Sequence, residues 1–143
     1  MKDGAEVKGI KIKQKVRMQG KTKKIGTVKT NPLKKDTDAD GINDGTEVKG
    51  YKIKQRVITS LRGKKIKSYR IGKVQSDPTK KDTDKDGLKD NQERTGSKNK
   101  RHKKHKTSPV NWDTDFGAVS DGKEIRKKAD PADARSGPKN PRL

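Results

Sequence analysis

Apolar and charged positions alternate in two stretches of this chain. Ile10, Ile12, Gln14 and Val16 interleave with Lys11, Lys13, Lys15 and Arg17, and the alternation returns as Tyr51, Ile53, Gln55 and Val57 against Lys52, Lys54 and Arg56. A period of two carrying β-branched residues predicts strands. Gln19-Gly20-Lys21 and Arg62-Gly63-Lys64 offer turns, after which apolar positions resume at Ile25–Val28 and at Ile66–Val74. Two β-hairpins are therefore expected, at about residues 9–29 and about 50–75. An isolated hairpin is marginal in water, so the two must pair with each other or dock on the segments between them.

Those segments repeat as well. Residues 6–16 recur at 47–57, and Ile25-Gly26-Thr27-Val28 recurs as Ile71-Gly72-Lys73-Val74. Such internal periodicity marks an array of similar units. Each hairpin leads to Asn31-Pro32 or Asp77-Pro78, and then to an acidic run. The first run places Asp36, Asp38, Asp40, Asp44 and Glu47 at positions 1, 3, 5, 9 and 12 of a twelve-residue loop. The second places Asp82, Asp84, Asp86, Asp90 and Glu93 identically. Oxygen ligands at this spacing, with the main-chain carbonyl of position 7 (Ile42, Leu88), suit calcium. Gly41 and Gly87 at position 6 permit the sharp turn around the ion. The bland alternative is a solvated acidic turn that neutralises nearby lysines.

A third run, after Ser108-Pro109, keeps Asp113, Asp115, Asp121 and Glu124, with Val119 at position 7. Gly117 replaces the third aspartate and Ala118 the turn glycine, so a weaker site is expected, completed by water or a neighbouring carboxylate. Asp130-Pro131 begins the phrase again, but Arg135 stands where the loop's first aspartate belongs. Asp3-Gly4-Ala5-Glu6-Val7 matches Asp44–Val48, as if the chain started inside the end of another loop of a longer array. The units expected are 1–8 (end of a truncated repeat), 9–47 and 48–95 (hairpin plus loop), 96–106 (basic linker), 107–128 (degenerate loop) and 129–143 (basic tail rich in Pro and Gly).

Composition sharpens this picture. With 23% hydrophobic and 41% charged residues, 143 residues cannot build one large core. Chains this polar stay disordered unless something else offsets the entropy of ordering. A metal that binds only the folded form does so. The fold class expected is mainly β and irregular, with tandem calcium loops, inserted hairpins and small cores. Cysteine is absent, so disulfides are not the staple. No run of about 18 apolar residues provides a membrane span. Loops of weak to moderate affinity fill where free calcium is about millimolar, outside the cytosol, so an extracellular or cell-surface location is expected.

The net charge of +21 adds a second chemistry. Apart from Asp77, Asp130 and Asp133, every acid lies in the three loops or the N-terminal remnant, and the rest of the chain is a polycation. Lysines on alternate strand residues stand about 6.6–6.8 Å apart on one face, near the spacing of successive phosphates. A polyanion partner, duplex nucleic acid or an acidic glycan, is expected on Lys11, Lys13, Lys15, Arg17, Lys52, Lys54 and Arg56. A mobile arm of Lys100, Arg101, Lys103, Lys104 and Lys106 is expected to join them. Aromatic residues are 3% of the chain, too few for base stacking on single strands. The competing reading is a structural spacer or stalk whose lysines are solvent-facing and guard strand edges. Truncated repeats and open hairpin edges also allow a homopolymer by strand addition. No enzyme is expected: His102 and His105 sit in a lysine run with no acid or cysteine adjacent in sequence.

The motif Asp-Thr-Asp-x-Asp-Gly-(Ile/Leu)-x-Asp-x-x-Glu at 36–47 and 82–93, with the Asn31-Pro32 and Asp77-Pro78 lead-ins, resembles the prokaryotic thrombospondin type-3 calcium repeat. That resemblance implies a calcium-ordered extracellular scaffold. A helix-flanked EF-hand fits less well, because its apolar position 8 is Asn43, Lys89 or Ser120 here, and the flanks read as strands. The junction Glu47-Val48-Lys49-Gly50-Tyr51 is similar to the calcium-binding segment of binary-toxin translocation subunits, where such a loop runs into a strand. The repeated hairpins and extreme basicity depart from those subunits, and pore formation is not implied.

Overall fold

The structure is a computed structural model that describes residues 9–59 and 67–134. The N-terminal loop remnant, the turn expected at Arg62-Gly63-Lys64 and the tail beyond 134 lie outside the described residues. Strands β1 (Ile10–Met18) and β2 (Lys21–Val28) form one antiparallel hairpin, and β3 (Tyr51–Thr59) and β4 (Lys67–Val74) form the other. The fold is mainly β and irregular, with two hairpins inserted between acidic loops.

Alternation sets the faces. Ile12, Val16 and Met18 of β1 and Tyr51, Ile53 and Val57 of β3 are buried, while the cations between them are exposed. Each hairpin carries one register shift, between Ile12 and Lys15 and between Ile53 and Arg56. The extra residue of a bulge bends its strand and leaves a glutamine at the bend. Gln14 Oε1 accepts from Gln75 N (3.1 Å), and Gln55 Oε1 accepts from Lys106 N (2.9 Å). Each glutamine thereby ties its hairpin to the segment leading into a later loop.

The hairpins remain separate two-stranded sheets and do not pair with each other. They dock on loop-linked segments instead. The β1 edge meets the lead-in to the third loop, with Arg17 N donating to Val110 O (2.8 Å) and Trp112 N to Arg17 O (2.9 Å). The β3 edge meets residues 132–134 in the same way, with Ile58 N donating to Ala132 O (2.9 Å) and Ala134 N to Ile58 O (2.8 Å). The small core therefore gathers across the sequence, from Val16 and Met18 through Ile42, Tyr51, Ile53 and Val74 to Val110.

Two expectations change here. The acidic loops do not run straight into strands: positions 9 to 14 coil into short helices, α1 (Asp44–Lys49), α2 (Asp90–Thr95) and α3 (Asp121–Arg126). Coiling turns the position-12 glutamate back toward the start of its own loop. The basic linker expected at 96–106 to be a mobile arm is folded. Buried Asn99 donates through Nδ2 to His105 O (3.1 Å) and to Asp130 Oδ1 (3.2 Å), and His105 Nδ1 lies 2.6 Å from Asp130 Oδ2. A buried carboxylate from far along the chain supplies the acid that the local sequence lacks. Lys100, Arg101, Lys103 and Lys104 remain exposed on this turn, and Lys106 is half-buried.

Candidate metal centres

Each loop closes through its threonine at position 2. Thr83 N donates to Asp90 Oδ1 (2.9 Å) and Thr83 Oγ1 to Asp90 Oδ2 (2.6 Å), while Thr83 Oγ1 accepts from Asp77 N (3.0 Å). Thr37 makes the same three bonds with Asp44 and Asn31, and Thr114 with Asp121 and Ser108. One buried hydroxyl thus joins the loop's lead-in, start and helix. In a buried network an unmade bond costs about 1–3 kcal/mol per stranded group. Thr83→Val strands both Asp90 Oδ2 and Asp77 N, and is expected to lower the stability of the calcium-loaded chain by about 2–3 kcal/mol with calcium stoichiometry unchanged. Chemical denaturation alongside a calcium titration checks both halves.

The other carboxylates converge. Oxygens of Asp36, Asp38, Asp40 and Glu47 lie within 4.8 Å of one another, as do those of Asp82, Asp84, Asp86 and Glu93, and those of Asp113, Asp115 and Glu124. The position-9 aspartates Asp44, Asp90 and Asp121, expected among the ligands, stand outside these clusters, because their two oxygens accept the threonine bonds. Backbone amides fold each loop around its first aspartate: Gly41 N and Gly87 N donate to Asp36 Oδ2 (2.9 Å) and Asp82 Oδ2 (3.0 Å), and Ala118 N to Asp113 Oδ2 (2.8 Å). The side chains of position 7 divide, with Ile42 and Leu88 buried and Val119 half-buried.

Each cluster is short of partners. Asp38 Oδ2, Asp40 Oδ2, Glu47 Oε2, Asp84 Oδ2, Asp86 Oδ2, Glu93 Oε2, Asp115 Oδ2 and Glu124 Oε2 are buried with no hydrogen bond. Buried polar groups are almost always satisfied, and several like charges in one cage repel strongly at low dielectric. Burial first, and neighbouring carboxylates next, push Asp38 up to about 8, Glu47 to about 10, Asp115 to about 9 and Glu124 to about 10. Burial likewise drives Asp84 and Glu93 well above the ordinary carboxylate range. A hard divalent cation fits these cages: the donors are all oxygen, without the cysteine or histidine that favours zinc. Four carboxylates plus a carbonyl approach the six to eight oxygens of calcium.

The glutamates have supports that sequence reasoning missed. Tyr51 OH donates to Ser76 Oγ (3.0 Å), which donates to Glu47 Oε1 (2.8 Å). Thr107 Oγ1 supports Glu93 in the same way (3.1 Å). The visible signal was a hydroxyl two residues before each proline, at Thr30, Ser76 and Thr107. Before Pro131, the proline that follows the third loop, Ala129 stands there instead.

The third loop departs further. Its cage holds three carboxylates, and Ala118 sits at φ +70 where Gly41 and Gly87 sit at +98 and +95. A left-handed conformation costs an L-residue about 1–2 kcal/mol, so Ala118 keeps the turn at a penalty. Ala118→Gly is expected to stabilise the chain by about 0.5–1 kcal/mol, after allowing for the freer unfolded glycine. A lower melting temperature in this variant would contradict that.

The lysines of the strand faces are not among the clustered groups, whereas Arg17 stands against the third loop. Lys11, Lys13, Lys15, Arg17, Lys52, Lys54 and Arg56 are all exposed. The ion pair found among the described residues is His105–Asp130, so none of these cations is engaged by a described carboxylate within salt-bridge distance. Arg17 lies 4.7 Å over the Phe116 ring.

The family model for the Clostridial binary toxin B/anthrax toxin PA Ca-binding domain matches residues 35–111, more than half of the chain. The match spans the first two loops, the second hairpin and the lead-in to the third loop. No curated protein and no solved structure matches the chain.

Proposed function

The chain belongs to the Clostridial binary toxin B/anthrax toxin PA Ca-binding domain family, and on that premise we propose that it is a calcium-ordered scaffold, working outside the cytosol, that presents lysine-rich hairpins to a polyanion. The observation that carries the calcium part is the set of buried carboxylate oxygens without partners in all three loops. In this reading Asp36, Asp38, Asp40 and Glu47 hold one ion, Asp82, Asp84, Asp86 and Glu93 a second, and Asp113, Asp115 and Glu124 a weaker third. The carbonyls of Ile42, Leu88 and Val119 complete the sets. The similarity of the loops to thrombospondin type-3 repeats supports the same role of ordered scaffold. Millimolar free calcium suits such loops, which favours the cell surface or the extracellular space.

Polyanion binding rests on the exposed cations of β1 and β3. They project from the face opposite the core, and burial of that core fixes their direction. Lys100, Arg101, Lys103, Lys104 and Lys106 belong to a folded turn that adds charge without acting as an arm. Duplex DNA of random sequence tests this. The calcium-loaded chain is expected to bind with a steep dependence on salt. Changing Lys11, Lys13, Lys52 and Lys54 to Gln is expected to flatten the log–log salt slope by about 3–4, near 0.9 per lost contact. Calcium binding should survive in that variant. Negligible binding at moderate salt would leave the second reading, a spacer with no polyanion partner.

One observation favours that second reading: the loops touch each other directly. Gly122 N donates to Asp86 O (3.1 Å), and Gly41 packs on the Asn91 side chain. Loops in contact make a stiffer connector than loops on a flexible string.

A further inference from the structure

A groove of about 480 Å³ opens between β1, β4 and the third loop. Fixed contacts build its walls. Arg17 N donates to Val110 O (2.8 Å), Gln75 N just after β4 donates to Gln14 Oε1 (3.1 Å), and Tyr69 OH donates to Thr114 O. Part of the lining is apolar, with Val74 and Val110 buried and Ile71 half-buried.

Two exposed cations, Arg17 and Lys73, line the same groove, and among the described residues no aspartate or glutamate does. Arg17 rests on the Phe116 ring, and the Tyr69 ring stands 6.0 Å from that ring at 52°. A guanidinium held over an aromatic face keeps the N–H fork at its rim free for an anion. Its charge is felt by Asp113, but no described carboxylate lies within salt-bridge distance of it. Phe116 is the second pointer. It is 41% exposed and holds φ +59 at loop position 4, where the first two loops carry Ala39 and Lys85 at +57. The turn therefore works with a small or a charged side chain, and a bulky ring is strained in the left-handed region. Loop closure does not call for the ring, which instead supplies a wall of the groove. Asn111, also on the lining, accepts from Asp113 N through Oδ1 (3.1 Å), which leaves its Nδ2 as a donor.

Cations, an apolar wall and an amide donor together suit a sugar ring that carries a carboxylate. The fork of arginine matches a carboxylate with two parallel hydrogen bonds. A double helix has no comparable apolar face to lay in the groove, since even its major groove is about 12 Å wide. We propose that this groove binds one uronate unit of an acidic polysaccharide, with the carboxylate on Arg17 and Lys73, the apolar face of the ring against Ile71 and Phe116, and a hydroxyl on Asn111 Nδ2. This rests on the polyanion reading and names its polymer. The cations of β1 and β3 then meet neighbouring units of the same polymer.

Calorimetric titration of the calcium-loaded full chain at physiological salt tests it, with a short hyaluronan oligosaccharide (glucuronate alternating with N-acetylglucosamine) as the probe. Saturable binding is expected, and none to the same oligosaccharide with its carboxylates reduced to alcohols. Phe116→Ala, Arg17→Lys and Lys73→Gln are each expected to weaken binding by about tenfold or more, with calcium titration and circular dichroism unchanged. Lys73 lies outside the third loop, so its variant still decides the matter if Phe116→Ala disturbs that loop. Phe116→Ala removes no charge and is expected to leave duplex-DNA binding and its salt slope as in the parent. Duplex DNA bound without any uptake of the oligosaccharide overturns the uronate site and leaves the polyanion reading intact, whereas a chain that binds neither loses both. Oligosaccharide binding that the three variants retain, or that the reduced sugar shares, also overturns the site. So does a single-stranded oligonucleotide that displaces the sugar and is weakened by the same variants, which would give the groove to a nucleotide.

Discussion

Chelation of calcium at neutral pH is expected to unfold the chain. Glu47 shows why. It is 0% exposed, and without a cation burial raises its carboxyl from 4.5 to about 10. An acid whose folded value exceeds its unfolded value favours folding fully below the unfolded value, near pH 4, and progressively opposes it as pH rises toward the folded one. At pH 7 this single group opposes the metal-free fold by on the order of 3 kcal/mol, at 1.36 kcal/mol per pH unit. Glu93 and Glu124 are displaced in the same direction for the same reason. They add to that opposition, against a small-domain stability of only about 5–15 kcal/mol, and the core has few apolar side chains to offset it. Calcium inverts the sign, because the ionised carboxylate is the ligand and affinity is lost as pH falls into the ordinary carboxylate range. Circular dichroism at neutral pH should lose its β signal on chelation and regain it with calcium. An unchanged spectrum in chelator would contradict the account.

The second large effect is expected at Glu93. It is 1% exposed, one oxygen accepts from Thr107, and the other has no partner within the cage. Its loop also stands in the middle of the molecule, with Asn91 against Gly41 on one side and Gly87 against Gly122 on the other. Glu93→Gln removes one charge from the ligand set and turns an amide donor toward the ion. The loss is expected to be about 3–5 kcal/mol, the range seen when one partner of a buried charge pair is removed. Glu124→Gln should cost less, since its cage already lacks a carboxylate and the supporting hydroxyl. Calorimetric titration and thermal melts of the two variants rank them, and equal losses would show that the second loop has no central role.

The local pattern carried most of this architecture. Alternation at Ile10–Arg17 and Tyr51–Val57 placed both hairpins and the exposed face of the lysines in those two stretches, because a period of two leaves one choice of face once β-branched residues are buried. Spacing placed the three acidic loops. It did not separate Asp44, Asp90 and Asp121 from the clustered carboxylates, since a count of acids cannot say which of them accept from threonine. The recurrence of threonine at Thr37, Thr83 and Thr114 held that information. Contacts distant in sequence were the least legible. Asn99 and His105 depend on Asp130, and Lys106 on Gln55, so residues 96–106 read as a flexible linker when taken alone. The docking of residues 132–134 on the β3 edge was hidden in the same way, inside a stretch whose composition suggests only a tail.

Calcium titration of the metal-stripped chain by calorimetry tests the central claim most directly. The account predicts saturable uptake of at least two ions per chain with Kd well below about 1 mM, the concentration available outside cells. Weaker uptake at the third loop should follow, with gain of β structure in step with the first ions. No saturable uptake in that range, or uptake that leaves the fold unchanged, would contradict it.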